Sequence, residues 1–125
     1  MSEKRPVILI VDDDLDILDT FRLILEKHDY VMVGAETAED GLREYKKKEP
    51  DLIIVDLMME EVDSGTGFVR DLQALGNQAP VYMLSSIGDS LHASTDYVEL
   101  GLSGIFQKPI NSETLLTTLR MKLQS

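Results

Sequence analysis

Three bare aliphatic runs dominate the chain: Val7 to Val11, Leu52 to Val55 and Val81 to Leu84. Each is four or five residues of aliphatic or aromatic side chains with no polar interruption, and each stops abruptly on an aspartate or a serine. A strand with one solvated face alternates apolar and polar residues; an unbroken run reads as a strand covered on both faces. Between the runs, apolar residues recur at helical spacing. Ile17, Leu18, Phe21, Ile24 and Leu25 form one stripe, and Leu115, Leu116, Leu119 and Leu123 form another. This alternation leaves few folds open.

The remaining elements fill in the same order. Val31, Val33 and Ala35, alternating with Met32 and Gly34, suggest a second, shorter strand. Thr37-Ala38-Glu39-Asp40 resembles a capping box, with Thr37 as N-cap of a helix that buries Leu42 and Tyr45 and ends before Pro50. The Lys46-Lys47-Lys48 run reads as that helix's solvated end. A third helix is expected over Gly67 to Leu75, closed by Gly76, and a weaker one over Asp89 to Leu100, closed by Gly101. Ile105-Phe106 reads as a short fifth strand, and Asn111 caps the last helix. Five βα units in series call for a parallel sheet covered on both faces and joined by right-handed crossovers. The expected fold is an α/β, doubly wound (βα)5 flavodoxin-like sheet with strand order 2-1-3-4-5. At 125 residues and 43% apolar content, one domain over 1–125, with its core over about 7–123, is the expectation.

Composition narrows the function. With 23 acidic and 12 basic residues the formal net charge is −11, so direct nucleic-acid binding is not expected. The absence of cysteine excludes disulfides, thiolate metal sites and cysteine nucleophiles. His28 and His92 are too few for a histidine cage and read as surface residues. The first residues carry no apolar run suited to a signal peptide, and no segment approaches the roughly 20 apolar residues of a membrane span, so no membrane association and a cytoplasmic location are expected.

In such a sheet the carboxyl ends of the strands share one edge, and sites form where strands 1 and 3 diverge. That edge receives Asp12 and Asp13, Asp56, Ser85 and Lys108. Loops are polar anyway, which accounts for one or two aspartates but poorly for carboxylates, a hydroxyl and a cation together. Two carboxylates about 4 Å apart repel by roughly 4 kcal/mol at an effective dielectric of about 20. Three of them require protons or cations, and one lysine is insufficient. A hard divalent ion such as Mg²⁺ completes the set, and metal, lysine and hydroxyl together suit the oxygens of a phosphoryl group. Asp56, a single aspartate leaving the most buried strand, is the candidate nucleophile, giving an aspartyl phosphate.

The set Val11-Asp12-Asp13, Val55-Asp56, Leu84-Ser85-Ser86 and Lys108-Pro109 resembles the receiver domain of two-component response regulators, as a chemotaxis-regulator-like single receiver. The resemblance covers Val7 to Leu123. It implies that Asp12 and Asp13 hold Mg²⁺, with Asp13 the more direct ligand, that Asp56 is the phosphoacceptor and also touches the metal, and that the Met58 backbone carbonyl completes the protein ligands. It implies that Ser85 is the switch hydroxyl, that Lys108 pairs with a phosphoryl oxygen, and that the Lys108–Pro109 bond is cis. The implied partners are a sensor histidine kinase or phosphotransfer protein and a downstream protein or output domain, with a homodimer possible. Such a domain is a signalling device, not an enzyme in its own right, with self-catalysed phosphorylation and slow hydrolysis only. Its output surface is often built by the last two helices and the last strand, here Asp89 to Leu123. Met58 and Ile87 flank the positions from which relatives tune hydrolysis, and both are apolar, which favours a long-lived phosphoryl state.

Three departures stand out. Glu60 occupies the position where proline commonly follows the methionine, and the Glu60-to-Gly67 segment is about three residues longer than usual, judged by motif spacing. Ile105 stands where the family commonly has an aromatic, while Phe106 faces the other side of the strand. Asp14 and Asp16 read as the start of the first helix, with a lesser claim on the metal's outer shell. The methionines read as core filler, or as rim packing at Met58 and Met59, and Tyr82 and Tyr97 as half-buried helix–sheet contacts. Three other readings compete for parts of this pattern. A haloacid-dehalogenase-type phosphatase would place its nucleophile at Asp12 or Asp14. A flavodoxin would need a phosphate loop free of the three aspartates. A degenerate receiver would act as a phosphorylation-independent interaction module.

Overall fold

The computed structural model describes residues 5–56, 64–86 and 101–123. Five strands, β1 (Val7–Val11), β2 (Val31–Ala35), β3 (Leu52–Asp56), β4 (Val81–Ser85) and β5 (Gly104–Gln107), form one parallel sheet in the order β2-β1-β3-β4-β5. Among the described residues four helices accompany it: α1 (Leu15–Lys27), α2 (Ala38–Lys48), α3 (Ser64–Ala74) and α4 (Ser112–Leu123). The doubly wound order expected from the aliphatic runs is therefore the order found. Met58, Met59, the stretch from Glu60 to Asp63, Ile87, His92, Tyr97 and the helix expected over Asp89 to Leu100 lie outside the described residues.

Strand pleating sorts the aliphatic runs into two cores. Ile8, Ile10, Leu52, Ile54, Tyr82 and Leu84 pack against Leu18, Phe21 and Leu25 of α1 and Leu115, Leu116 and Leu119 of α4. The alternate residues Leu9, Val11, Ile53, Val55, Val81 and Met83 pack against Phe68, Val69 and Leu72 of α3, with Leu42 and Tyr45 of α2 at the margin. Ile8 to Val11 and Leu52 to Val55 have no exposed surface at all. That is why these strands tolerate no polar residue before their last position.

The helix ends follow local chemistry. Asp14 caps α1 by accepting the Asp16 N–H (2.9 Å), and Thr37 caps α2 by accepting the Asp40 N–H (3.0 Å). The capping box is half realised: the Asp40 carboxylate turns outward to Arg43 (3.0 Å). Asn111 accepts the Thr114 N–H (2.9 Å) and so opens α4. α3 begins at Ser64, three residues before the expected Gly67, and Gly76, in the left-handed region (φ 80°), closes it.

Two side-chain expectations are corrected. Tyr82 is buried, not half-buried, with its ring packed against that of Phe106. Met121 is 76% exposed on the outer face of α4, so methionine is core filler here at Met32 and Met83 but not at Met121. No helix among the described residues is long and apolar enough to cross a membrane.

Candidate functional site

α1 covers one face of the sheet and α2 the other, so the chain diverges after β1 and leaves a crevice at the carboxyl ends of β1 and β3. Among the described residues the buried polar or charged ones are Asp12, Asp56 and Ser85. All three stand at that edge. Asp12 follows β1, Asp56 ends β3 and Ser85 ends β4, so the core is polar where the strands open and nowhere else in that set.

The carboxylates of Asp12, Asp13 and Asp56 each place an oxygen within 4.8 Å of the others. Asp12 is oriented from below, where its own N–H donates to the Ala35 carbonyl (3.0 Å), and from beside, where its Oδ1 accepts the Asp14 N–H (2.9 Å). Asp14 is thereby accounted for: its backbone orients Asp12, its carboxylate caps α1, and it is not one of the three clustered acids. Lys108 crosses from the end of β5 and sets Nζ 3.3 Å from Asp12 Oδ2 and 3.3 Å from Asp56 Oδ1. The Lys108–Pro109 bond is cis, as expected, and the Lys108 N–H donates to the Ser85 carbonyl (2.8 Å). The Ser85 hydroxyl is buried and lies 3.4 Å from the carbonyl oxygen of Ser86, a contact at the long limit for a hydrogen bond.

The electrostatics are those of a site short of positive charge. Burial pushes the Asp12 carboxyl up, against the downward pull of the Asp14 amide and Lys108, and Asp13 adds to the rise. Burial pulls the Lys108 ammonium down, but the two carboxylates beside it more than reverse this and hold it above its ordinary value. Asp12 Oδ2 is buried and, among the described residues, makes no hydrogen bond, its cationic neighbour being the shared lysine. Three carboxylates against one ammonium leave two negative charges uncompensated. A small hard dication with oxygen ligands fits that set, with Asp13 on the exposed side where water ligands have access.

The sequence reading therefore placed Asp12, Asp13, Asp56, Ser85 and Lys108 at one edge, and the structure brings Asp12, Asp13, Asp56 and Lys108 into contact range. Met58 falls outside the described residues. Sequence reasoning missed the orienting role of the Asp14 amide, for which a third consecutive aspartate directly before a helical stripe was the available sign.

Comparison with known proteins agrees with this arrangement. The sequence model of the response regulator receiver domain matches residues 8–120. The chain is 32% identical over 115 residues to the Escherichia coli K12 transcriptional regulatory protein GlrR, covering 92% of this chain and 26% of that protein. It is 32% identical over 114 residues to the Bacillus subtilis transcriptional regulatory protein YdfI, covering 90% of this chain and 52% of that one. The chain thus spans between a quarter and about half the length of these relatives. Among solved structures, a CheY-like receiver domain protein from Methanospirillum hungatei superimposes with a TM-score of 0.86 at 30% identity, covering 96% of this chain and 94% of that one. The chemotaxis protein CheY4 of Vibrio cholerae gives 0.84 at 30% identity, covering 96% and 100%. Sheet order, the acidic cluster bridged by a lysine, and the match across residues 8–120 have one common explanation: this chain belongs to the response regulator receiver domain family.

Proposed function

We propose that the domain, spanning residues 1–125, is a phosphoacceptor whose acceptor is Asp56. The observation that carries this reading is the shared lysine, with Nζ 3.3 Å from both buried carboxylates. A carboxylate held beside a fixed ammonium keeps an oxygen available for attack, and the same ammonium then faces the oxygens of the incoming group. In the proposed step an Asp56 carboxylate oxygen forms a bond to phosphorus. The bond from phosphorus to the donor breaks, and the donor atom, an imidazole nitrogen of a sensor histidine kinase or phosphotransfer protein, keeps the electron pair. Asp12, Asp13 and Asp56, with the Met58 backbone carbonyl, would hold Mg²⁺, which supplies charge neutralisation to phosphoryl oxygens when bound. Ser85 donates its hydroxyl to one phosphoryl oxygen and Lys108 its ammonium to another.

The phosphoryl group, carrying about −1.5 to −2 in place of the carboxylate's single charge, arrives in a site already short of cations and draws Lys108 and Ser85 towards it. The reading assigns the resulting shift to the Asp89-to-Leu123 surface, for a downstream protein, an output domain or a second copy. Apolar Met58 and Ile87 favour slow loss of the phosphoryl group, and the domain acts in the cytoplasm without contacting nucleic acid itself. The test is phosphoryl uptake from acetyl phosphate, read as intact mass with and without Mg²⁺, against an Asp56→Asn control. One phosphoryl group on the wild type alone, abolished by chelator, is expected. No uptake while Mg²⁺ binds would replace this reading with that of a phosphorylation-independent interaction module, which the isoleucine at position 105 would suit.

A further inference from the structure

β5 is four residues long, lies at the edge of the sheet and pairs with β4 alone. It nevertheless delivers Lys108 to a point equidistant from two carboxylates. A one-residue slip of such a strand would turn its side chains to the opposite face and carry the lysine away from the site. Short edge strands specify register weakly from their backbone, so something else must fix this one.

Gly104 and Tyr82 are direct cross-strand partners, as are Leu84 and Phe106. The Tyr82 ring lies over Gly104 and meets the Phe106 ring at a centroid distance of 5.1 Å with 31° between planes. A Cβ added at Gly104 would stand 2.8 Å from Tyr82 Cε2 and 3.1 Å from Cδ2. Tyr82 and Phe106 are each 5% exposed, so neither ring has free space to yield into. The backbone at Gly104 is not in the left-handed region, unlike Gly76 and Gly101, so conformation does not call for glycine there. The close approach of the ring does. An aromatic side chain seated across a strand glycine is a known device for pinning register, and the diagonal ring pair adds a second, specific contact.

We infer that Tyr82, Gly104 and Phe106 form a register lock on β5 that positions Lys108 between Asp12 and Asp56. None of the three touches the reacting atoms; all act through the lysine. The inference rests on the reading of Lys108 given above, and two readouts separate them. Lys108 repels a cation bound to the same carboxylates, while it assists phosphoryl transfer. Displacing it should therefore tighten Mg²⁺ and slow uptake, a split that general loosening of the fold does not produce.

The variant is Gly104→Ala, with Mg²⁺ affinity measured by titration calorimetry and acetyl phosphate uptake at saturating Mg²⁺. Mg²⁺ should bind roughly 3- to 10-fold tighter, and uptake should slow by about tenfold or more. Tyr82→Leu, which removes the ring seated over Gly104, should give the same split. Leu72→Ala, a cavity in the opposite core, should lower thermal stability without the split. If Gly104→Ala does not fold, Phe106→Ala, which removes the diagonal ring, should give the same split. Unchanged Mg²⁺ affinity in folded Gly104→Ala, Tyr82→Leu or Phe106→Ala protein would overturn the lock. Tighter Mg²⁺ binding in a protein whose wild type takes no phosphoryl group would uphold the lock and reject the phosphoacceptor reading instead.

Discussion

Removing the charge of Asp12 should make the protein more stable, although Asp12 is among its most buried residues. Asp12 has no exposed surface, and its Oδ2 faces Lys108 at 3.3 Å. At an effective dielectric of about 20 that contact is worth roughly 5 kcal/mol of attraction. The Asp56 carboxylate, within 4.8 Å, repels by at least about 3.5 kcal/mol on the same scale. The lysine is shared, so most of the attraction survives through Asp56 when Asp12 is neutral. What remains attractive at Asp12 is then smaller than the several kcal/mol that burying an ion costs. The raised pKa of Asp12 says the same, since the folded state holds that proton more tightly than the unfolded chain does. Stability from this group is present below the ordinary value of 3.8 and is lost as pH rises through the raised value, so at neutral pH the charge is a net cost. Asp12→Asn keeps an oxygen to accept the Asp14 N–H and discards the charge.

In chelator at pH 7, Asp12→Asn should gain about 1–2 kcal/mol, or roughly 3–10 °C in Tm for a domain of this size. Mg²⁺ should reverse the ranking of benefit. The wild type gains about 2.7 kcal/mol at a hundredfold excess over Kd, whereas the variant, having lost a ligand charge, gains far less. Thermal melts followed by circular dichroism, with Mg²⁺ and with chelator, give all four values. A Tm that falls in chelator, or a Mg²⁺ shift equal to that of the wild type, would refute the reasoning that places a charge-starved cation site at Asp12.

Lys108→Met leaves two buried carboxylates facing each other; because the lysine side chain is 19% exposed, a loss of about 1–2 kcal/mol in chelator is expected from urea denaturation. The raised pKa of Lys108 means that its contribution is intact below the ordinary 10.5 and fades as pH rises through the higher folded value, so the wild-type advantage over this variant should persist at neutral pH and disappear only in strong alkali. Gly41→Ala would set a Cβ 2.9 Å from Phe68 Cε1 and from Val11 Cγ2, pressing α2 off the sheet, and should cost about 1–3 kcal/mol by the same assay. Thr37→Ala removes the cap of α2 and should cost about 1 kcal/mol while leaving phosphoryl uptake unchanged.

Much of this architecture was legible because burial on both faces forbids polar residues. Val7 to Val11, Leu52 to Val55 and Val81 to Leu84 declared themselves as strands, and the first polar residue after each fell on the functional edge. The aspartates were legible for the same reason: a charge directly after a bare aliphatic run has to be solvated, paired or used. Less was visible where structure depends on neighbours distant in sequence. Tyr82 read as a half-buried contact because its packing against Phe106 depends on a strand pairing that no local pattern announces. Asp40 fitted a capping box, but Arg43 competes for its carboxylate at 3.0 Å. The start of α3 was read three residues late because Ser64 to Gly67 contains two glycines and no apolar residue to mark a helical face.

The central claim is that the phosphoryl group goes to Asp56. Borohydride reduces an acyl phosphate to the alcohol, so protein treated with acetyl phosphate and Mg²⁺, then reduced and digested, should yield homoserine in place of Asp56 in the peptide that carries it. Asp12 and Asp13 should be recovered unchanged. Homoserine at position 12 or 13, or a phosphoryl group retained on an Asp56→Asn protein, would contradict the assignment.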